Sequence, residues 1–248
     1  MPNALLITGA SRGIGRACAL LAARHGWSVG VNYRQDFDAA DDVVRTIAKA
    51  GGRAVPLKGD VAVEADVVSI FEEATQALGL LTGVVANAGI VAPTARLADM
   101  SAERMRRVFE VNVLGAYLTA REAARRMSTS AGGAGGAIVL MSSAAARLGS
   151  PNTYVDYAGS KGAIDTLTLG LAKELGPEGV RVNAIRPGLV ETEIHASGGE
   201  PDRARELGRT SPLGRPGTAH EIAEATVWLL SDAASYVTGA LLDVSGGR

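Results

Sequence analysis

Cysteine is almost absent: Cys18 is the single one in 248 residues, which excludes an internal disulfide and any paired-thiol redox motif. It stands in a run of alanine and leucine, where a buried small hydrophobe is expected rather than a reactive thiol. Aromatic residues make up only 4%, so the core has to be built from Ala, Val, Leu and Ile. Excess charge of either sign is missing too. With 25 basic and 26 acidic residues and no block of like charge, nothing points to nucleic acid or an acidic membrane surface, and a small molecule is the expected partner. The three histidines, His25, His195 and His220, are isolated and share no ligand spacing, so no metal site is expected. The serines of "IVLMSS" lie in no G-x-S-x-G elbow, which argues against a serine hydrolase. Long apolar runs are lacking as well. The opening run, "ALLIT", is too short for a signal-peptide core, and no stretch approaches the roughly 18 apolar residues of a membrane span. A soluble, cytoplasmic protein is expected.

Glycine, by contrast, is plentiful at 31 residues. Between longer amphipathic stretches recur short runs rich in Val, Ile and Leu: "ALLIT", "SVGVNY", "RAVPLKGDV", "GVVANAG", "GAIVLMSS", "RVNAIRPG" and "ALLDVSGG". Continuous hydrophobicity is the mark of strands buried on both faces, so these predict a parallel sheet covered by helices, in one βα-repeating domain over residues 1–248. Ser101 can cap a helix running to about Met127, with Val108, Val111, Gly115 and Leu118 on one face. Thr218 and Glu221 form a capping box ahead of "IAEATVWLL", and Gly26, Gly51 and Gly176 followed by Pro177 sit where helices should stop. Two segments break the rhythm. Ser128 to Ala137 reads as a flexible glycine-rich connection, and 195–210, long and polar, is a candidate substrate lid.

"TGASRGIG", Thr8 to Gly15, follows the first strand and opens a helix. Gly9, Gly13 and Gly15 supply the turn, the close backbone approach and the tight packing that a dinucleotide pyrophosphate needs at a helix N-terminus. Farther on, "YVDYAGSKGA" sets two tyrosines and a lysine among small side chains. Tyr157 and Lys161 are four apart and share a helix face, while Tyr154 lies seven from Lys161. That spacing alone equally describes an exposed surface pair.

Together these motifs resemble the short-chain dehydrogenase/reductase family, over almost the whole chain. "TGASRGIG" resembles its cofactor motif, "NAG" at Asn87, Ala88 and Gly89 its strand-four motif, and Asn112 its helix-four asparagine. "SS" before "YAGSK" resembles the catalytic serine and Tyr-x-x-x-Lys set, "RPGLVET" the segment beside the nicotinamide, and "YVTGALLDVSGG" the closing strand. The resemblance implies a doubly wound, Rossmann-type sheet of seven parallel strands with helices on both faces. It makes Tyr157 the acid/base and Lys161 the group that lowers the phenol pKa and holds the nicotinamide ribose. Asn112 would position a relay water, although a helical asparagine can equally mark a kink. Ser143 would hydrogen-bond the substrate oxygen, with Ser142 the alternative. Ser143 stands fourteen residues before Tyr157, one more than is usual, so the intervening loop carries an extra residue. For the cofactor, the resemblance implies the glycine motif, Gly9, Ser11, Arg12, Gly13, Ile14 and Gly15, with Asp60 and Val61 at the adenine. It adds Asn87, Ala88 and Gly89 to the cofactor-binding set, and Pro187, Gly188, Val190 and Thr192 beside the nicotinamide.

Strand two ends "VGVNYRQ", with no carboxylate until Asp36. An acidic residue there would favour NAD, whereas Arg34, with Arg12, suits a 2′-phosphate, so NADP is the expected cofactor and NAD the second option. The expected activity is reversible hydride transfer between NADP(H) and a carbonyl or secondary alcohol. A lid carrying Glu200, Asp202, Arg203, Arg205 and Glu206 suits a small polar substrate. Two alternatives are a 3-oxoacyl-(acyl-carrier-protein) reductase, for which Arg125, Arg126 and Lys173 would be the basic patch, and a catalytically silent NADP-binding regulator. A homo-oligomer, a tetramer by resemblance, is expected from Ile222, Trp228, Leu229, Leu241 and Leu242 near the end of the chain.

Overall fold

The computed structural model describes residues 3–248. Its main sheet holds β1 (Ala4–Ile7), β2 (Ser28–Tyr33), β3 (Ala54–Lys58), β4 (Leu81–Ala86), β5 (Gly136–Met141), β6 (Val180–Pro187) and a last strand, Leu241–Val244, each of them parallel to its neighbours. The seven parallel strands match the seven apolar runs, and their order from edge to edge is β3-β2-β1-β4-β5-β6 followed by that last strand. Why the runs are continuous rather than alternating is visible in β1. Leu6 enters one core with Val84, Ile138 and Val182, while Leu5 and Ile7 enter the other with Val29, Val85 and Val139. Every residue of β1 is buried, so both faces must be apolar.

Helices α1 (Gly13–Arg24) and α2 (Phe37–Lys49) cover one face, and α3 (Glu64–Leu78) lies on the other. Asp36 caps α2, its carboxylate accepting from Ala39 N. The long helix expected from Ser101 to Met127 is present as α4 (Ala102–Phe109) and α5 (Gly115–Met127), joined without a break by one π-helical turn over Glu110–Leu114. Ser101 is its cap. The Ser128–Ala137 connection is pinned rather than flexible: Gly135 N donates to Met127 O and Gly136 N to Gly179 O, which the glycine content alone concealed.

After β5 come α6 (Ala145–Leu148) and α7 (Val155–Leu175), the latter crossing the α3/α5 side. Beyond β6 the structure adds an unforeseen two-stranded ribbon, β7 (Val190–Glu191) with β8 (Gly217–Thr218). Between its strands the polar lid segment folds into α8 (Ile194–Ser197) and α9 (Arg203–Gly208). Thr218 and Glu221 form the expected capping box of α10 (Ala219–Leu230), and β9 (Leu241–Val244) closes the sheet. The apolar surface predicted near the end of the chain needs correction. Ile222 and Leu229 are core residues at 1% and 0% exposure, because α10 turns them onto the sheet, and Trp228 is the member of that set left exposed. A second apolar surface, Phe109, Leu114, Tyr117 and Leu169, lies on α4–α5 and α7.

Candidate active site

The strand order reverses between β1 and β4, and there the carboxyl ends of the strands open a cleft of about 420 Å³. One end is made by the glycine turn. Gly9 and Gly13 have φ of 62° and 54°, in the left-handed region, and Gly9 N donates to Asn32 Oδ1. Gly15 has ordinary φ but no room: a Cβ on it would lie 2.4 Å from Gly9 O and 2.6 Å from Asn87 Nδ2. No side chain caps α1 and its first turn holds no acidic residue, so its leading N–H groups and positive dipole remain available to a diphosphate. That donor set fits a dinucleotide. The carboxylate of Glu193 lies near Gly13.

The cleft wall contains Gly9, Ser11, Arg12, Gly13, Ile14, Arg34, Asp60, Val61, Asn87, Ala88, Gly89, Pro187, Gly188, Val190 and Thr192. Gly15 is not among them. It lies beneath the turn, so its contribution is packing rather than contact. Asn87 lines the wall, yet its amide donates to Thr8 O at 2.9 Å and Gly9 O at 3.0 Å, so its side chain is spent on fixing the glycine turn. Thr8 and Asn32, not singled out in the sequence, complete that scaffold. Thr8 Oγ1 accepts from Asn87 N and Ala88 N, while Asn32 bridges Gly9 to Leu57 O and Gly59 O.

Past the carboxyl ends of β2 and β3, Asp60 Oδ2 receives Arg34 Nε at 3.3 Å and Arg107 Nη2 at 3.1 Å, and Oδ1 accepts from Ala62 N. Burial pushes this carboxyl up, but the Ala62 N–H and the two guanidiniums outweigh it and hold the group below its usual range. Arg107 was missed because it lies on α4, distant in sequence from every cofactor motif. Arg12 is exposed, and Asp36 is committed to capping α2.

The reactive end is formed by β5, α6 and α7. Ser143, Tyr157 and Lys161 all line the cleft. The two serines separate cleanly. Ser142 is buried and donates to Asp165 Oδ1 (2.7 Å) or Lys161 O (3.1 Å), whereas Ser143 faces the cleft, its Oγ accepting from Ala145 N at 3.1 Å. In the loop between Ser143 and Tyr157, after α6, Gly149, Ser150 and Asn152 adopt φ of 73°, 45° and 61°. Lys161 Nζ donates to Met141 O at 2.7 Å and lies 5.6 Å from the Tyr157 ring centroid. Burial lowers its pKa to about 8, against the opposing pull of Asp165. The tyrosine departs from expectation: burial raises its pKa, Ser143 opposes the rise, and no lowering by Lys161 is resolved. The ammonium is turned onto a main-chain carbonyl, and the phenol in this cleft is firmly protonated.

Asn112 also departs from expectation, since it does not line the cleft. The π turn sends its amide to Ile90, accepting from N at 2.8 Å and donating to O at 2.9 Å, with a further bond to Ser160 Oγ. Its side chain therefore ties the end of β4 to α7 and has no donor left for a water. Tyr154 meets the 195–210 segment. Its hydroxyl donates to Glu200 Oε2 at 3.1 Å and accepts from Thr94, while the Arg203 guanidinium lies 4.9 Å from its ring. Among the described residues no His/Cys/Asp/Glu group could hold a metal ion, and no helix is long and apolar enough to cross a membrane. Of the suggested basic patch, Arg125, Arg126 and Lys173, the two arginines both reach the buried carboxylate of Glu122.

A family model described as enoyl-(acyl carrier protein) reductase matches residues 9–248. The chain is 52% identical over 243 residues to an uncharacterized oxidoreductase, YgfF, of Escherichia coli strain K12, covering 98% of each chain. It is 35% identical to glucose 1-dehydrogenase 2 of Bacillus subtilis strain 168, covering 98% of this chain and 93% of the relative. Among solved structures, 3-ketoacyl-(acyl-carrier-protein) reductase from Brucella melitensis, complexed with NADH, superposes with a TM-score of 0.90 at 32% identity, over 99% and 98% of the two chains.

Proposed function

The chain belongs to the short-chain dehydrogenase/reductase family, oxidoreductases acting on alcohol and carbonyl groups, and from that premise we propose that it reduces the carbonyl of a small polar substrate with NADPH, reversibly. The observation that carries the reading is the grouping of Ser143, Tyr157 and Lys161 at one end of a cleft whose other end is an uncapped helix N-terminus behind a glycine turn. The nicotinamide, when bound, supplies or accepts the hydride. Ser143 donates a hydrogen bond to the substrate oxygen and, with Tyr157, fixes it. Tyr157, kept neutral by burial, gives the phenolic proton to that oxygen during reduction and takes it back during oxidation. Lys161, charged below about pH 8, holds ribose hydroxyls beside Gly89. Asn112 acts from behind, holding Ile90 against α7.

NADP preference rests on Arg34 and Arg12 at the mouth, joined by Arg107, against an Asp36 engaged in capping α2. The paired state of Arg125 and Arg126 weighs against a carrier-protein substrate. Sugar and small ketone substrates remain favoured, in line with the glucose dehydrogenase relative. Assembly as a homo-oligomer, a tetramer by family likeness, is part of the proposal, as is a cytoplasmic location. Light scattering giving a particle of one chain's mass at micromolar concentration would refute the assembly. The functional test compares Tyr157→Phe with Tyr154→Phe on a carbonyl panel, following NADPH consumption. The first variant should lose turnover by roughly 10²-fold or more while still binding NADPH, and the second should lose far less. Equal activity of the two sinks the assignment.

A further inference from the structure

The lid presents a cation to the substrate end of the cleft. Arg203, at the start of α9, lines the cleft and is 17% exposed. Its Nη1 donates to Glu200 Oε2 at 2.6 Å, and its guanidinium lies 4.9 Å from the ring centroid of Tyr154. Glu200 is not part of the cleft wall, so the carboxylate grips the arginine from behind. Nε and Nη2 have no hydrogen-bond partner among the described residues. A long, flexible side chain is thereby immobilised with part of its donor fork unspent. Tyr154 is the residue before α7, three before Tyr157, and both tyrosines line the same cleft as Arg203.

The carboxylate at this end, Glu200, is paired with Arg203 and lies outside the cleft wall. The carboxylates lining the cleft are Asp36 and Asp60, past the carboxyl ends of β2 and β3, and Glu193 beside Gly13. Of the other four arginines lining the cleft, Arg12, Arg34, Arg107 and Arg248, the last is tied to α6 through its main-chain O, which accepts from Arg147, and its Nη1 is buried without a partner among the described residues. His195 adds no charge at neutral pH, since burial lowers its pKa, and its Nε2–H is given to Val190 O. Unspent guanidinium donors in a partly dehydrated cleft favour an anionic oxygen group, and the planar fork matches a carboxylate.

Resting on the proposed carbonyl reduction, we infer that the substrate carries a carboxylate, bound by Arg203 and supported by Arg248, at the end of the molecule away from the adenine. Arg203 is then a specificity-determining residue and Glu200 a positioning residue.

Matched pairs test this: acetoacetate, 4-oxopentanoate and 4-oxocyclohexanecarboxylate, each against its neutral carboxamide, with NADPH and NADH. In the wild type at least one acid should exceed its amide tenfold or more in kcat/KM, mainly through KM. Arg203→Leu should cut that acid-to-amide ratio at least tenfold, with Arg203→Lys restoring part of it. Glu200→Gln should raise KM for the acid less than Arg203→Leu does, since the charge remains. A merely structural lid contact would depress acid and amide alike in all three variants, leaving the ratio unmoved, and that overturns the inference. Equal use of acids and amides by the wild type also overturns it, while leaving carbonyl reduction standing. Preference for dihydroxyacetone phosphate over dihydroxyacetone, without any acid preference, replaces the carboxylate by a phosphate and refutes the statement made here. A wild type that oxidises neither cofactor with any member of the panel removes both readings.

Discussion

Replacing Gly15 by alanine adds one methyl group at a position whose φ is ordinary, so backbone preference alone forecasts little harm. The surroundings forecast otherwise. The new Cβ would stand 2.4 Å from Gly9 O and 2.6 Å from Asn87 Nδ2, whereas real Cβ contacts under 3.0 Å essentially never occur. Neither neighbour is free to retreat. Gly9 is held by its N–H to Asn32 Oδ1, and the Asn87 amide is bonded to both Thr8 O and Gly9 O. Overpacking of this kind costs about 1–3 kcal/mol, and each Asn87 bond given up adds roughly 1 kcal/mol. A loss near 3 kcal/mol corresponds to a fall in Tm of about 6–12 °C for a chain of this size. Because the same displacement moves the turn that should receive the diphosphate, NADPH affinity should weaken about tenfold or more. Gly13→Ala is the control: its nearest neighbours would be 3.5 Å away, but its φ of 54° carries a left-handed penalty of roughly 1–2 kcal/mol. Thermal melts with and without NADPH, plus fluorescence titration, would show Gly15→Ala as the more damaged variant in both stability and binding. If Gly15→Ala melts and binds like the wild type, or Gly13→Ala is the worse in stability, the packing argument is wrong.

Ser142→Ala and Ser143→Ala should fail in opposite ways. The first removes a buried donor to Asp165 and should cost roughly 1–2 kcal/mol in a denaturant melt, while the second should leave stability nearly unchanged and lower kcat by about 10²–10³-fold. Arg34→Ala should reduce kcat/KM for NADPH about tenfold or more and leave NADH nearly unaffected, and a wild type favouring NADH contradicts the cofactor reading. For pH, Lys161 is lowered to about 8 from an unfolded value near 10.5. Its ammonium is lost above that pH, so kcat/KM for carbonyl reduction should fall along an alkaline limb near 8. Between about 8 and 10.5 the unfolded chain binds the extra proton, so this group makes stability rise with pH, and Lys161→Met should abolish that contribution in melts across the window.

The seven apolar runs, the capping box at Thr218 and Glu221 and the helix from Ser101 were legible because burial on both sheet faces and helix capping are local demands, written into consecutive residues. The glycine turn and the Tyr157/Lys161 spacing were legible for the same reason: one turn of helix or one loop contains them. What the chain alone left open were choices between neighbours and partners far apart in sequence. Ser142 and Ser143 are adjacent and alike, and only the packing of α7 on β5 turns one toward Asp165 and the other into the cleft. Asn112 reads as a site residue until the π turn directs its amide to Ile90 and Ser160. Ile222 and Leu229 look like free apolar surface until α10 is laid on the sheet. The meeting of Arg107 and Arg34 on Asp60, and of Tyr154 with Glu200 and Arg203 across the lid, depends on loops brought together by strand order. Local backbone preference and hydrophobic period are properties of a segment, whereas the direction a polar side chain faces is set by the other segments that fold against it.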